Sequence, residues 1–160
     1  MNLVFLDYDG VVNTLMFFPN EEKLRYFLPE DNMVNNYQAC RWLSKLCLET
    51  NSKIIVTSTW RTYENYKECL YNGGVDSKVE ILGKTNDFGI DKTRGSEIYD
   101  FIKNFEEPIE HMVILDDRED MDMYIPYLVK IDWFTGFTMM DYLKAKKILD
   151  KEIKDKSELI

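Results

Sequence analysis

Two aspartates one residue apart close an apolar run near the start of the chain, in "LVFLDYDGVVN", residues 3–13. Alternate side chains of a strand share a face, at about 3.3 Å of rise per residue, so Asp7 and Asp9 would lean toward one point. Carboxylates that close repel, and a bound cation or a shared proton relieves the repulsion. Polar groups follow other apolar runs in the same way. "IIVTSTWR" passes from apolar residues to Thr57, Ser58, Trp60 and Arg61, and "MVILDDRED" passes to Asp116, Asp117 and Asp120. Brought together, these carboxylates and hydroxyls suit a hard divalent cation such as Mg²⁺ and an anionic substrate.

Each fragment alone has an ordinary structural use. An Asp-x-Asp is often a turn, "TST" a helix cap and "DDRED" an acidic loop or cap. What gives the combination weight is that each piece directly follows an apolar run. Such runs at residues 3–6, 54–56, 79–82, 112–115 and 128–131 predict five short buried strands. Helical spacing predicts helices over 37–48, 63–71, 96–105 and 139 to about 153. Strands alternating with helices imply right-handed crossovers and a three-layer α/β/α domain with a mostly parallel five-stranded sheet. In such domains ligands bind beyond the carboxyl ends of the strands, where the motifs above fall.

At 160 residues the chain is expected to be one domain, spanning 1–160. Its net charge of −9 opposes non-specific attraction to nucleic acid or anionic membrane. No apolar run approaches the ~20 residues of a membrane span, and "LVFL" is too short for a signal peptide. Cys40, Cys47 and Cys69 are odd in number and lack a CxxC spacing, which suits reduced thiols. The expectation is a cytoplasmic protein with no membrane partner.

Taken in order, the motifs resemble the haloacid dehalogenase (HAD) superfamily of aspartyl-phosphate phosphatases. "FLDYDGVVN" looks like its first motif, "IIVTS" its second, "DKTRGSEI" the region of its third and "VILDDREDM" its fourth. More narrowly, "STWR", "RGSEI" and "LVKIDWFTGFT" are similar to HAD domains associated with RNA-repair (Swiss Army Knife) proteins. The resemblance implies Asp7 as nucleophile and Asp9 as general acid and then base, with Gly10 giving the chain room to turn beside the phosphate. Thr57 and the Ser58 backbone N–H would bind phosphoryl oxygens, and Arg94, or alternatively Lys92, would supply the facing cation. Mg²⁺ would take Asp7, the Asp9 carbonyl and Asp117, with Asp116 and Asp120 as direct or water-bridged partners. Arg61 has a fair claim to meet phosphate or nucleotide; Trp60 is either a packing anchor or a substrate contact.

Connections too short to hold a further domain predict no large cap over the site. The segment 14–27 would form a flap, with Leu15, Met16, Phe17 and Phe18 packed beneath it or facing a base. The expected substrate is a phosphorylated one, a nucleotide or polynucleotide end being favoured by resemblance. A small-metabolite phosphatase is the alternative, and a catalytically retired HAD-like partner-binding domain a further one. A signalling receiver is disfavoured, because receivers carry the phosphoacceptor on a later strand than the acidic pair.

Overall fold

A computed structural model describes residues 1–17, 33–89 and 91–160 of the chain. The apolar runs form strands β1 (Asn2–Leu6), β2 (Ser52–Val56), β3 (Ile81–Lys84), β4 (His111–Asp116) and β5 (Leu128–Lys130). Between and after them lie helices α1 (Tyr37–Thr50), α2 (Tyr66–Asn72), α3 (Arg94–Asn104) and α4 (Met139–Leu149). The five strands form one sheet in the order β3-β2-β1-β4-β5, with every pairing parallel. The expected fold class is therefore the one observed. This order reverses between β1 and β4, whereas receiver-type sheets follow a 2-1-3-4-5 order.

Strand residues bury both faces of the sheet, as parallel strands do. Val4, Leu6, Val56 and Leu115 join one apolar cluster with Leu43 of α1, Leu70 of α2 and Ala145 of α4. Leu3, Phe5, Ile55 and Ile114 join another with Ile98 and Ile102 of α3 and with Tyr124. Three helices thus cover one face, and α3 with the short turn Asp122–Tyr127 covers the other. Burying each such side chain contributes about 1.5–3 kcal/mol, so the sheet is a rigid base for whatever extends from its ends.

Several element ends differ from the sequence expectation, and for three of them the contacts show why. Strand β3 begins at Ile81 instead of residue 79, because Val79 donates its N–H to Asp76 O and its carbonyl accepts from Tyr71 Oη at 2.8 Å. Helix α2 begins at Tyr66, since Thr59–Thr62 first form a tight turn capped by Ser58. Helix α4 stops at Leu149, after which the Ile153 N–H bonds Glu110 O and its side chain enters the cluster beneath α3.

From β2 to α3 the described chain holds only the turn, α2 and β3, with no inserted domain. Of the expected flap, Leu15–Phe17 form a single turn, while residues 18–32 lie outside the described residues. The three cysteines are buried free thiols, and burial pushes Cys40 and Cys47 up to about 12. Among the described residues no helix is long and apolar enough to cross a membrane.

Candidate active site

Strands β1 and β4 are hydrogen-bonded neighbours in register, Leu6 beside Leu115, so the residues that follow them emerge side by side. Asp7 donates its backbone N–H to Leu115 O at 3.0 Å, and Asp116 is the last residue of β4. Carboxylate oxygens of Asp7, Asp116 and Asp117 lie within 4.8 Å of one another. Gly10 makes room for the third. Its φ is +79°, and a Cβ built there would lie 2.7 Å from Asp117 Cγ. Only glycine turns the chain this way at no steric cost while Asp117 packs against it.

Crowding shows in the titration behaviour of the group. Burial first, then the Asp7 charge, pushes Asp116 up to about 8. The same two causes in the same order raise Asp117. Without a cation, these causes favour the protonated forms of Asp116 and Asp117. Asp116 Oδ1 accepts from the Arg118 N–H, whereas Oδ2 is buried without a well-aligned donor, 3.2 Å from Arg94 Nε. The buried carboxyl oxygens, the orphaned Oδ2 and the oxygen-only donor set fit a hard divalent cation.

Asp9 stands apart from that cluster and is held differently. Its Oδ2 accepts from Trp60 Nε1 at 3.1 Å and its Oδ1 from Asn13 Nδ2 at 2.9 Å. Burial raises its pKa, and the two donors, which favour the charged form, partly offset this. Trp60 is at once a packing anchor, with its ring 5.7 Å from that of Tyr8, and a donor to Asp9.

Arg94, the first residue of α3, points into the cluster. Its Nη2 is 3.7 Å from Asp7 Oδ2, its Nε faces Asp116, and its Nη1 is 3.3 Å from Glu97 and donates to Thr57 O. Burial works against its charge, but Asp7, Asp116 and Glu97 outweigh it and strengthen its hold on the proton. Lys92, the other candidate cation, is exposed on the preceding loop and lines a neighbouring cavity. Thr57 and Ser58 are fully buried at the end of β2; Thr57 Oγ1 has no partner, leaving a donor free, while Ser58 Oγ accepts from the Trp60 N–H.

Arg61 is buried beside Arg94, donating to Thr57 O and to Glu97 Oε1, the latter at 2.7 Å. Asp120 is turned away from the three-carboxylate cluster. It accepts the Arg94 N–H at 3.0 Å, caps the start of α3 and pairs with Arg118. Sequence reasoning passed over Glu97 and Asn13. The spacing Arg94-x-x-Glu97, one turn along a helix, was a readable signal for the first; Asp9-x-x-x-Asn13 carried none, because it depends on a tight turn in which residues 11–13 all donate to Tyr8 O.

Residues 3–142 match the family described as the HAD domain in Swiss Army Knife RNA repair proteins. Among solved structures the chain is similar to the HAD domain of effector protein Lem4 from Legionella pneumophila, an inactive mutant. Identity is 18%, TM-score 0.53, and 93% of this chain and 94% of that one are covered. A second structure of that Lem4 domain aligns with the same identity and coverage at a TM-score of 0.49. No curated protein matches the chain.

Proposed function

We propose, because the chain belongs to the HAD domain family of Swiss Army Knife RNA repair proteins, that its phosphatase-type site hydrolyses phosphomonoesters through an aspartyl-phosphate on Asp7. The observation that carries the reading is the meeting of Asp7, Asp116 and Arg94 at the switch point of the sheet, with Asp9 separately held by Trp60 and Asn13. Two carboxyls in one site with different surroundings suit different tasks.

An Asp7 oxygen attacks phosphorus as the ester P–O bond breaks, and Asp9 gives its proton to the departing alcohol oxygen. Asp9, now a carboxylate stabilised by the Trp60 and Asn13 donors, then takes a proton from the water that attacks the phosphoryl group. The P–O bond to Asp7 breaks, inorganic phosphate leaves and Asp7 is restored. Burial favours the protonated form of Asp9 that the first step needs. Arg94 and the unpartnered Thr57 hydroxyl bind non-bridging oxygens, where charge is largest in the transition state.

Mg²⁺ would be held by Asp7, Asp117 and the Asp9 carbonyl, with Asp116 beside them. When bound it neutralises the carboxylates and the phosphoryl charge, which otherwise repel. Asp120, engaged with α3 and Arg118, supports the loop from outside. The favoured substrates are nucleotides or nucleic-acid ends, on the family likeness together with the absence of an inserted domain between β2 and α3.

The experiment is phosphate release with Mg²⁺ from mononucleotides, 5′- and 3′-phosphorylated oligonucleotides and sugar phosphates. Asp7→Asn is expected to lower the rate by about 10⁴-fold or more. Preference for polymer ends supports the nucleic-acid reading and preference for small esters replaces it. Full activity in Asp7→Asn would remove the proposed nucleophile.

A further inference from the structure

Beside the carboxylate cluster, the loop before α3, the turn after β2 and the loop after β4 enclose a cavity of about 340 Å³. That lies within the range of small-ligand pockets, about 300–1,000 Å³. Its charged lining is Arg61, Lys92, Arg94 and Arg118 against Asp87 and Glu97. The lining carries more cations than carboxylates in a chain of net charge −9, and although Arg61, Arg94 and Arg118 are each ion-paired, Arg118 with Asp120 at 2.5 Å, Lys92 is left to attract an anion.

The pairing within the cavity sharpens this. Glu97 is shared between Arg61 and Arg94, at 2.7 and 3.3 Å, so one carboxylate faces two guanidinium groups. Asp87 lies 3.6 Å from Arg61 and is exposed. Lys92 has no ion-pair partner among the described residues. Arg61 Nε is buried with no acceptor, which leaves a donor whose desolvation nothing in the cavity repays. Arg94 belongs to both places: it lines the cavity and reaches to 3.7 Å from Asp7. The cavity lined by Lys92 and Arg118 therefore shares Arg94 with the place where a phosphoryl group would sit at Asp7.

We propose that this cavity is a second anion subsite, and that the substrate is a phosphomonoester whose leaving group carries another phosphate. The proposal rests on the phosphatase reading above and narrows its substrate class. Lys92 and Arg118 are the solvent-side contacts of the second phosphate, and Arg61 forms the wall behind it. The second phosphate is either a free monoester or a phosphodiester of a chain, the same chemistry from two sources.

The test compares kcat/KM in Mg²⁺ for matched pairs with and without the second phosphate. The pairs are adenosine 3′,5′-bisphosphate against adenosine 5′-monophosphate, fructose 1,6-bisphosphate against fructose 6-phosphate, and a 5′-phosphorylated dinucleotide against the mononucleotide. At least one pair is expected to favour the second phosphate by about tenfold or more, and the Lys92→Ala/Arg118→Ala double variant to bring that ratio near unity. Which pair responds identifies the source. Ratios near unity in every pair, or a preference untouched by the double variant, overturn the subsite. Absence of turnover with every ester defeats the phosphatase reading separately. Calorimetric titration of the same protein with adenosine 3′,5′-bisphosphate and with the monophosphate then decides the subsite, because equal affinities refute it and a preference of about tenfold that needs Lys92 and Arg118 sustains it. Both side chains are solvent-exposed, so an unchanged melting temperature excludes misfolding of the double variant.

Discussion

The carboxyl edge of the sheet divides into two halves of opposite character. On the β1–β4 side the strands run into Asp7, Asp116 and Asp117, which crowd together, burial and then the Asp7 charge raising the proton affinity of Asp116 and Asp117. On the β2–β3 side they run into Thr57 and Thr85, neutral hydroxyls, with Arg61 and Lys92 beyond. The backbone is the same parallel ladder in both halves, so the contrast lies in the residues placed at the strand ends. A phosphate dianion needs cationic donors on one side and a metal-neutralised nucleophile on the other, and Arg94 is the residue common to both halves. Chemistry on this sheet is divided by strand.

Removing the shared residue breaks the contrast most severely. Arg94→Ala leaves Asp116 without its buried counter-charge and Glu97 with Arg61 alone, at a cost of about 3–5 kcal/mol of stability. It also lowers kcat by about 10²–10³-fold through lost transition-state contact. Arg94→Lys is expected to restore only part of either, since a single ammonium cannot serve Asp7, Asp116, Glu97 and Thr57 O together. Denaturant unfolding and steady-state rates measured side by side check both effects.

On the anionic half alone, Gly10→Ala sets a methyl 2.7 Å from Asp117 Cγ at a φ of +79°. Loss of about 1–3 kcal/mol is expected, together with a higher Mg²⁺ requirement as Asp117 is displaced. The check is chemical denaturation and a Mg²⁺ titration of activity. A smaller change is predicted for Trp60→Phe, which keeps the ring against Tyr8 and deletes the Asp9 hydrogen bond. Removing one donor to a carboxylate predicts about a tenfold drop in kcat with little change in KM.

A separate effect is on stability against pH in protein freed of divalent cations by EDTA. Asp9, Asp116 and Asp117 have raised folded-state pKa values, so the folded protein holds protons that the unfolded chain releases near its ordinary carboxyl value of about 3.9. Stability from these groups is therefore full at low pH and declines as pH rises through about 8, the value for Asp116. Melting temperature should fall by about 2–4 °C from pH 5 to 8.5 for each kcal/mol so lost, and Mg²⁺ should restore it most at the alkaline end. A melting temperature that climbs over that interval in EDTA contradicts the assignment.

Much of this arrangement was legible in the sequence because strand ends are. An apolar run stops where the sheet stops, so Asp7, Thr57 and Asp116 could be assigned to one edge without knowing a single contact. The family likeness, covering residues 3–142, follows the same landmarks. Loop conformation was not legible. Asp120 and Asp117 are both acidic residues after β4, and only the path of the chain sends one to cap α3 and the other to the cluster. Choosing Arg94 over Lys92 likewise depended on the helix starting at Arg94, two residues before the predicted start. The bond from Trp60 to Asp9 joins residues 51 positions apart and had no local signature.

The central claim is that Asp7, with a divalent cation beside it, accepts a phosphoryl group. Fluorine NMR with beryllium fluoride, whose tetrahedral adduct on a carboxylate imitates an aspartyl-phosphate, tests it without knowledge of the natural substrate. Bound trifluoroberyllate signals that require Mg²⁺ and vanish in Asp7→Asn are the predicted result. Signals that persist in Asp7→Asn, or form equally well in EDTA, would contradict it.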